Sequence, residues 1–281
     1  MQWIVKYLTS SIGKKQIMGC SGAAIALFIL GHMVGNLQLI NFDQSVAQAK
    51  YNAYTQLLTG MVPVIYFIEI GLIALFLIHI GLAIKLKLEN NKARGNVGYD
   101  VNARKGKKTF ATFTMIWSGL FILGFAVQHL MALKFGAHYL YENESGEIIR
   151  DMWLTTIDMF ANPFWTVFYL ISMFVIGMHL FHAIASAFQT LGIAHQKWTP
   201  IIEIVGIVYS VVVALGFAVE AAFSCYIGNT DAVKQMREDA HKKSELLMPK
   251  YKEQQAKKGK TIAALASIHD IQVSYVVEGD R

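Results

Sequence analysis

The chain has 281 residues, of which 54% are hydrophobic and only 16% charged, with a mean hydropathy of +0.41. Soluble globular domains carry about 25% charged residues, so a soluble enzyme with an ordinary polar surface is excluded, as are disordered, collagen-like and disulfide-stapled folds. The net charge of +6 is read as a distribution across a lipid bilayer, not as a nucleic-acid surface.

Five stretches are long enough to cross a hydrocarbon core, which takes roughly 20 apolar residues. They are Ile17–Ile40, Met61–Ile84, Phe110–Leu133, Pro163–Ala187 and Ile201–Cys225, and none contains Lys or Arg. The expected fold class is therefore an all-α membrane protein with five transmembrane helices. The first stretch is no cleavable signal peptide, because its apolar run is too long and no small-residue cleavage site follows. Cys20 and Cys225, the only two cysteines, fall at opposite faces of the membrane and cannot pair within one chain.

Lys and Arg in the short flanking segments set the orientation. The N-terminus carries Lys6, Lys14 and Lys15, and the second–third connection carries Lys85, Lys87, Lys92, Arg94, Arg104, Lys105, Lys107 and Lys108. Lys197 joins them from the fourth–fifth connection, against Lys50, Lys134 and Arg150 on the other side. This predicts a cytoplasmic N-terminus and an exported C-terminus, in a multi-pass protein of a bacterial cytoplasmic (inner) membrane. The tail from Gly228 to Arg281 holds ten Lys/Arg, but long segments translocate largely regardless of charge.

Between the spans, Ile149, Met152, Trp153, Ile157 and Phe160 share one stripe. This predicts an amphipathic helix over Ile148–Phe160 at the outer interface; a loop with scattered apolar residues is the alternative. The expected division is a five-helix domain over 1–227 and a charged tail over 228–281. The tail reads as a polar, solvated helix around Asp231–Lys258, then a strand at Ile271–Val277, with no chemistry of its own.

The chemistry lies in the histidines. Five of the nine fall inside the spans: His32, His79, His129, His179 and His182. An ionisable side chain in hydrocarbon is expensive and marks a functional site unless it only bonds a neighbouring helix. At 1.5 Å per residue, His32 and His129 lie roughly 12 and 6 Å from the outer ends of their helices. His79 and His179 lie roughly 8 and 12 Å from the inner ends of theirs. An outer pair and an inner pair result, each from two different helices. Two imidazoles facing each other across a bundle are the axial ligands of a b-type haem, whereas zinc wants three or four ligands at one level.

The first and third spans repeat a pattern: Ser21-Gly22 stands ten residues before His32, and Ser118-Gly119 ten before His129, counting from each glycine. Ten residues is roughly 15 Å along a helix, so Gly22 and Gly119 sit near the level of the other histidine pair. A missing side chain there lets a flat macrocycle lie against the backbone; plain helix packing is the alternative.

Several runs carry a family resemblance: Ser10–Leu39 (SSIGKKQIMGCSGAAIALFILGHMVGNLQL), Asn52-Ala53-Tyr54, Leu77-Ile78-His79-Ile80 and His179–Gly192 (HLFHAIASAFQTLG). They resemble the five-helix, dihaem cytochrome b membrane anchor of succinate:quinone oxidoreductases, the succinate dehydrogenases and quinol:fumarate reductases. The resemblance covers roughly residues 10–225, and its histidines match helix by helix. It implies two haems b, ligated by His79 and His179 on the inner side and His32 and His129 on the outer. It also implies a membrane quinone, expected to be menaquinone, and a complex with an iron–sulfur subunit and a flavoprotein. The dicarboxylate chemistry would belong to that flavoprotein, serving the tricarboxylic acid cycle or anaerobic respiration. The family's His-x12-Gly pattern, counted back thirteen residues from Gly192, implies His179 as the fourth ligand, with His182 the alternative three residues on. Where some quinol:fumarate reductases carry a Glu two residues before this ligand, the chain has Gly177.

Two carboxylates fall deep in the spans, Glu69 and Glu220, roughly 12 and 8 Å from the outer ends of their helices. Each is a candidate proton partner for quinone chemistry in the outer half, or else a plain interhelical hydrogen bond. The competing quinone position is the inner interface beside Lys15 and Gln16. Two other classes stay open: a cytochrome b anchor of another quinone-linked oxidoreductase, and a transporter with His and Glu in its path. A transporter usually has broken helices and inverted repeats, neither of which the sequence displays.

Overall fold

The structure, a computed structural model, describes residues 2–95, 110–193 and 195–278. It is 86% helical, and five of its helices are long and apolar enough to span a membrane. In chain order, α1 is Gln2–Thr9, α2 Ser11–Asn36, α3 Gln44–Gly60, α4 Val62–Arg94 and α5 Phe110–His129. A hairpin of β1 (Leu140–Glu142) and β2 (Ile148–Arg150) follows, then α6 Met152–Ala161, α7 Pro163–Thr190, α8 Thr199–Gly228 and α9 Asp231–Glu278. The spans are α2, α4, α5, α7 and α8. The protein is a multi-pass membrane protein. The basic residues Arg104, Lys105, Lys107 and Lys108 lie outside the described residues.

Local chemistry sets the helix ends. The Gly13 N–H donates to the Ser10 hydroxyl, capping α2. Asn162 caps α7 just before Pro163, whose missing N–H is harmless at a first helical position. The chain leaves α7 through Gly192 at φ +82°, a left-handed turn that glycine adopts without strain. A π-helical turn, Leu130–Lys134, extends α5.

Helix α7 is central, packing along α8, α2 and α5, while α4 lies chiefly along α2 and scarcely touches α5. At one end, which we call the open face, α1 and the end of α7 meet the beginning of α2. At the other, the capped face, α3, the hairpin, α6 and the start of α9 cover the bundle. Leu39, Ala47, Tyr51, Tyr139, Trp153, Leu154, Ile157, Ile227 and Val233 form one buried cluster there.

The capped face departs from two sequence expectations. Ile148–Phe160 is not one amphipathic helix: Ile148–Arg150 pairs with Leu140–Glu142, and α6 begins only at Met152. Two local devices cause this. Asn143 Oδ1 accepts the Ser145 and Glu147 N–H groups and closes the hairpin turn. Asp151 Oδ1 accepts the Leu154 N–H at 2.9 Å, fixing the helix start. Helix α6 is buried on most sides, with Trp153 1% and Ile157 0% exposed, and is a core element of the cap. Nor is the tail solvated all round. Val233 and Leu247 are buried, Ser244 Oγ accepts the Leu140 N–H at 2.9 Å, and Gln254 Oε1 accepts the Ile148 N–H at 3.1 Å. Ile271–Val277 continues α9 and is no strand. A strand needs a hydrogen-bonded neighbour, and the one ladder among the described residues is β1 with β2.

Candidate functional site

The histidines nearer the open face, His79 and His179, are each held by the helix alongside. His79 of α4 donates from Nδ1 to the Met18 carbonyl at 3.1 Å, with Ser21 Oγ at 3.5 Å. His179 of α7 lies with Nδ1 2.9 Å from Ser118 Oγ of α5. Both serines give their own proton to a carbonyl three residues back, Ser21 to Met18 and Ser118 to Met115, each at 3.0 Å. A carbonyl can only accept, so His79 carries its proton on Nδ1 and its Nε2 keeps the lone pair that a metal ligand requires. Ser118 Oγ, within reach of both the Met115 carbonyl and His179 Nδ1, fixes the rotation of the second ring.

The glycine of each Ser-Gly pair has a second role. A Cβ at Gly22 would stand 3.0 Å from His79 Cε1 and 3.2 Å from its Nδ1. A Cβ at Gly119 would stand 3.6 Å from His179 Cε1. The space beside each glycine is taken by an imidazole edge of the next helix. The Ser-Gly pattern thus serves the histidine at its own level, not the one ten residues further along its own helix.

Toward the capped face, the rings of His32 (α2) and His129 (α5) lie 5.8 Å apart at 86°. His129 Nδ1 is 3.3 Å from the Tyr169 hydroxyl, and His32 stacks on Phe28 and meets Phe217 of α8. Tyr169 had no periodic or motif signal in the sequence. His182 sits one turn nearer the open face than His179, within electrostatic range of it. Ser118 reaches His179.

Among the described residues, no three His, Cys, Asp or Glu converge as a bare metal ion would need. The imidazoles come instead in twos, one pair in each half of the bundle. The His32 and His129 rings lie 5.8 Å apart, close enough for the two to hold one group between them. With Nδ1 engaged on His79, His129 and His179, the residues fit two groups that bring their own equatorial ligands, as haem does.

The two carboxylates separate. Glu69, expected deep inside, has a side chain 34% exposed and pairs with Lys134 at the end of the π-helical turn. A long lysine can extend along its helix to meet a carboxylate near the interface. Glu220 of α8 is 3% exposed, and its Oε1 has no hydrogen-bond partner. One turn on, the Ser224 hydroxyl is also buried and unpartnered. Tyr51 of α3 closes this end of the bundle, donating to Asn36 Oδ1 at 3.2 Å. Burial pushes its phenol pKa up, the Thr156 hydrogen bond offsets part of the rise, and the nearby Glu220 carboxylate adds to it.

No protein-family model matches the chain, and neither a curated protein nor a solved structure matches it significantly.

Proposed function

We propose that this chain is the dihaem cytochrome b membrane anchor of a succinate:quinone oxidoreductase. The observation that carries the reading is that His79 and His179 are each anchored at Nδ1, by the Met18 carbonyl and the Ser118 hydroxyl, which leaves the Nε2 atoms to serve as ligands. His32 and His129 make the outer pair. These pairs would hold two haems b, which would supply single-electron transfer between an iron–sulfur partner and membrane quinone. The chain's own residues do the rest: the serines and Tyr169 fix the imidazoles, and Gly22 and Gly119 admit their edges. In this reading the N-terminus is cytoplasmic, so the open face is inner and docks the iron–sulfur subunit through Ser10–Gln16 and the α4–α5 connection.

Quinone reduction moves protons with electrons, and Glu220, with Oε1 unpartnered, stands three residues along α8 from Phe217, which meets His32, so it is assigned the proton at an outer quinone site. Glu69 is the weaker candidate, because Lys134 already holds it. The test is a pyridine haemochromogen assay on the purified chain together with co-purification from native membranes. Two haems b per chain, with a flavoprotein and an iron–sulfur protein co-eluting, support the assignment. Haem without those partners points to the anchor of a different oxidoreductase, and no haem defeats both readings.

A further inference from the structure

A cavity of about 240 Å³ opens where α2 begins and α7 ends, lined by Ile12, Lys15, Ser186, Gln189 and Thr190. Each helix presents one face to it: Ile12 and Lys15 are three apart, and Ser186, Gln189 and Thr190 are three and four apart. One turn deeper the two helices converge, since a Cβ at Gly19 would lie 3.8 Å from Ala187 Cα. The cavity is thus a blind notch with its mouth at the ends of two membrane spans, at headgroup level in a bilayer.

Its chemistry is one-sided. No carboxylate lines it. Lys14, the neighbour of Lys15, is buried and bound to both oxygens of Glu89 at 2.6 Å. Lys15 is exposed and has no acidic partner among the described residues. The Ser186 hydroxyl and Gln189 amide add two donors, while Thr190 turns its proton to the Ser186 carbonyl. Ile12 is exposed beside the cation, and Phe188 is exposed near the end of α7. An ammonium with neutral donors, set among apolar side chains at the end of two spans, suits a phosphate that carries acyl chains.

We propose that this notch binds the phosphodiester headgroup of an anionic phospholipid, with Lys15 as the charge partner and Ser186 and Gln189 as hydrogen-bond donors. The site uses none of the histidines or their partners; its Ile12 and Lys15 belong to the stretch that the proposed function gives to the iron–sulfur subunit, so the lipid is tested on the chain without that subunit.

The test is native mass spectrometry of the delipidated full chain in detergent, titrated with phosphatidylglycerol or phosphatidylcholine. One phosphatidylglycerol should be retained per chain in preference to phosphatidylcholine, and Lys15→Gln should weaken that retention about fivefold. Gln189→Glu, which leaves Lys15 intact and puts a carboxylate in the notch, should expel the lipid if Lys15→Gln does not fold. Equal retention of the two lipids, or unchanged retention in both variants, overturns the proposal. Displacement of the lipid by millimolar inorganic phosphate also overturns it, assigning the notch to a free anion, as does co-elution of a quinone in the lipid's place.

Discussion

Ser118 Oγ lies 2.9 Å from His179 Nδ1 and 3.0 Å from the Met115 carbonyl. The hydroxyl thereby fixes the rotation of the imidazole. His182 lies three residues further along α7.

This relationship yields the first prediction. His179→Ala should remove one of two haems, whereas His182→Ala should leave both, as counted by the pyridine haemochromogen assay. Ser118→Ala should weaken the inner haem by about tenfold or more without abolishing it, the usual effect of losing an outer-shell partner. Loss of a haem in His182→Ala but not in His179→Ala would reverse the assignment.

The two glycines give the second prediction, because their clearances differ. Gly22→Ala places a methyl 3.0 Å from the His79 ring, so the ring must shift. Gly119→Ala meets His179 at 3.6 Å, an ordinary contact. Low-temperature optical spectra should therefore show the inner haem perturbed in Gly22→Ala and nearly unchanged in Gly119→Ala. Equal perturbation by both substitutions contradicts this geometry.

How far the sequence could be read depends on the length scale of the signal. The spans were legible because roughly twenty apolar residues without Lys or Arg have few other uses. Histidine depth was legible because helical rise is constant. What each glycine faces was not, since a period along one helix says nothing about the neighbouring ring, and Gly22 turned out to accommodate His79. The exposure of Glu69 depends on Lys134, 65 residues away. The capped face was least legible. Its stripe from Ile149 to Phe160 mixes a strand and a helix, and the partners of its backbone N–H groups, Ser244 and Gln254, lie about a hundred residues downstream.

The third prediction concerns that cap. Asp151 is 2% exposed and accepts from the Leu154 N–H, Asn52 and Gln48, tying α3 to α6. Asp151→Ala strands these donors and should destabilise the cap by at least about 2 kcal/mol, read as earlier proteolysis at the 140–150 hairpin with haem content unchanged. Burial holds the Asp151 carboxyl above its ordinary pKa, the three hydrogen bonds lowering it only in part. The folded state then keeps the proton to higher pH than the unfolded state. Its contribution is complete below about pH 4 and declines as pH rises through the folded value. Asp151→Asn, which cannot titrate, should remove that part of the pH dependence of thermal stability. A wild-type cap that gains stability between pH 4 and 7 through this residue contradicts the sign.

The fourth prediction separates the two intramembrane carboxylates. Glu220 is buried with one oxygen unpartnered, and Ser224 beside it is equally unpartnered. A buried polar atom without a partner costs about 1–3 kcal/mol, and it is retained most readily where a transient ligand or proton supplies the missing bond. Glu69 has Lys134 and a half-open environment, so its needs are met without any substrate. If Glu220 exchanges the proton at an outer quinone site, Glu220→Gln should retain both haems yet lose quinone-linked turnover by about a hundredfold. Succinate oxidation with an artificial acceptor should persist in the same preparation. Glu69→Gln should stay within a few-fold of the parent in both assays. Measured in the assembled complex, equal losses in the two variants would return Glu69 to the site. Normal quinone turnover in Glu220→Gln, with a quinone-site inhibitor located beside Gln16, would move the site to the open face and leave the unpartnered oxygen of Glu220 as a feature of helix packing.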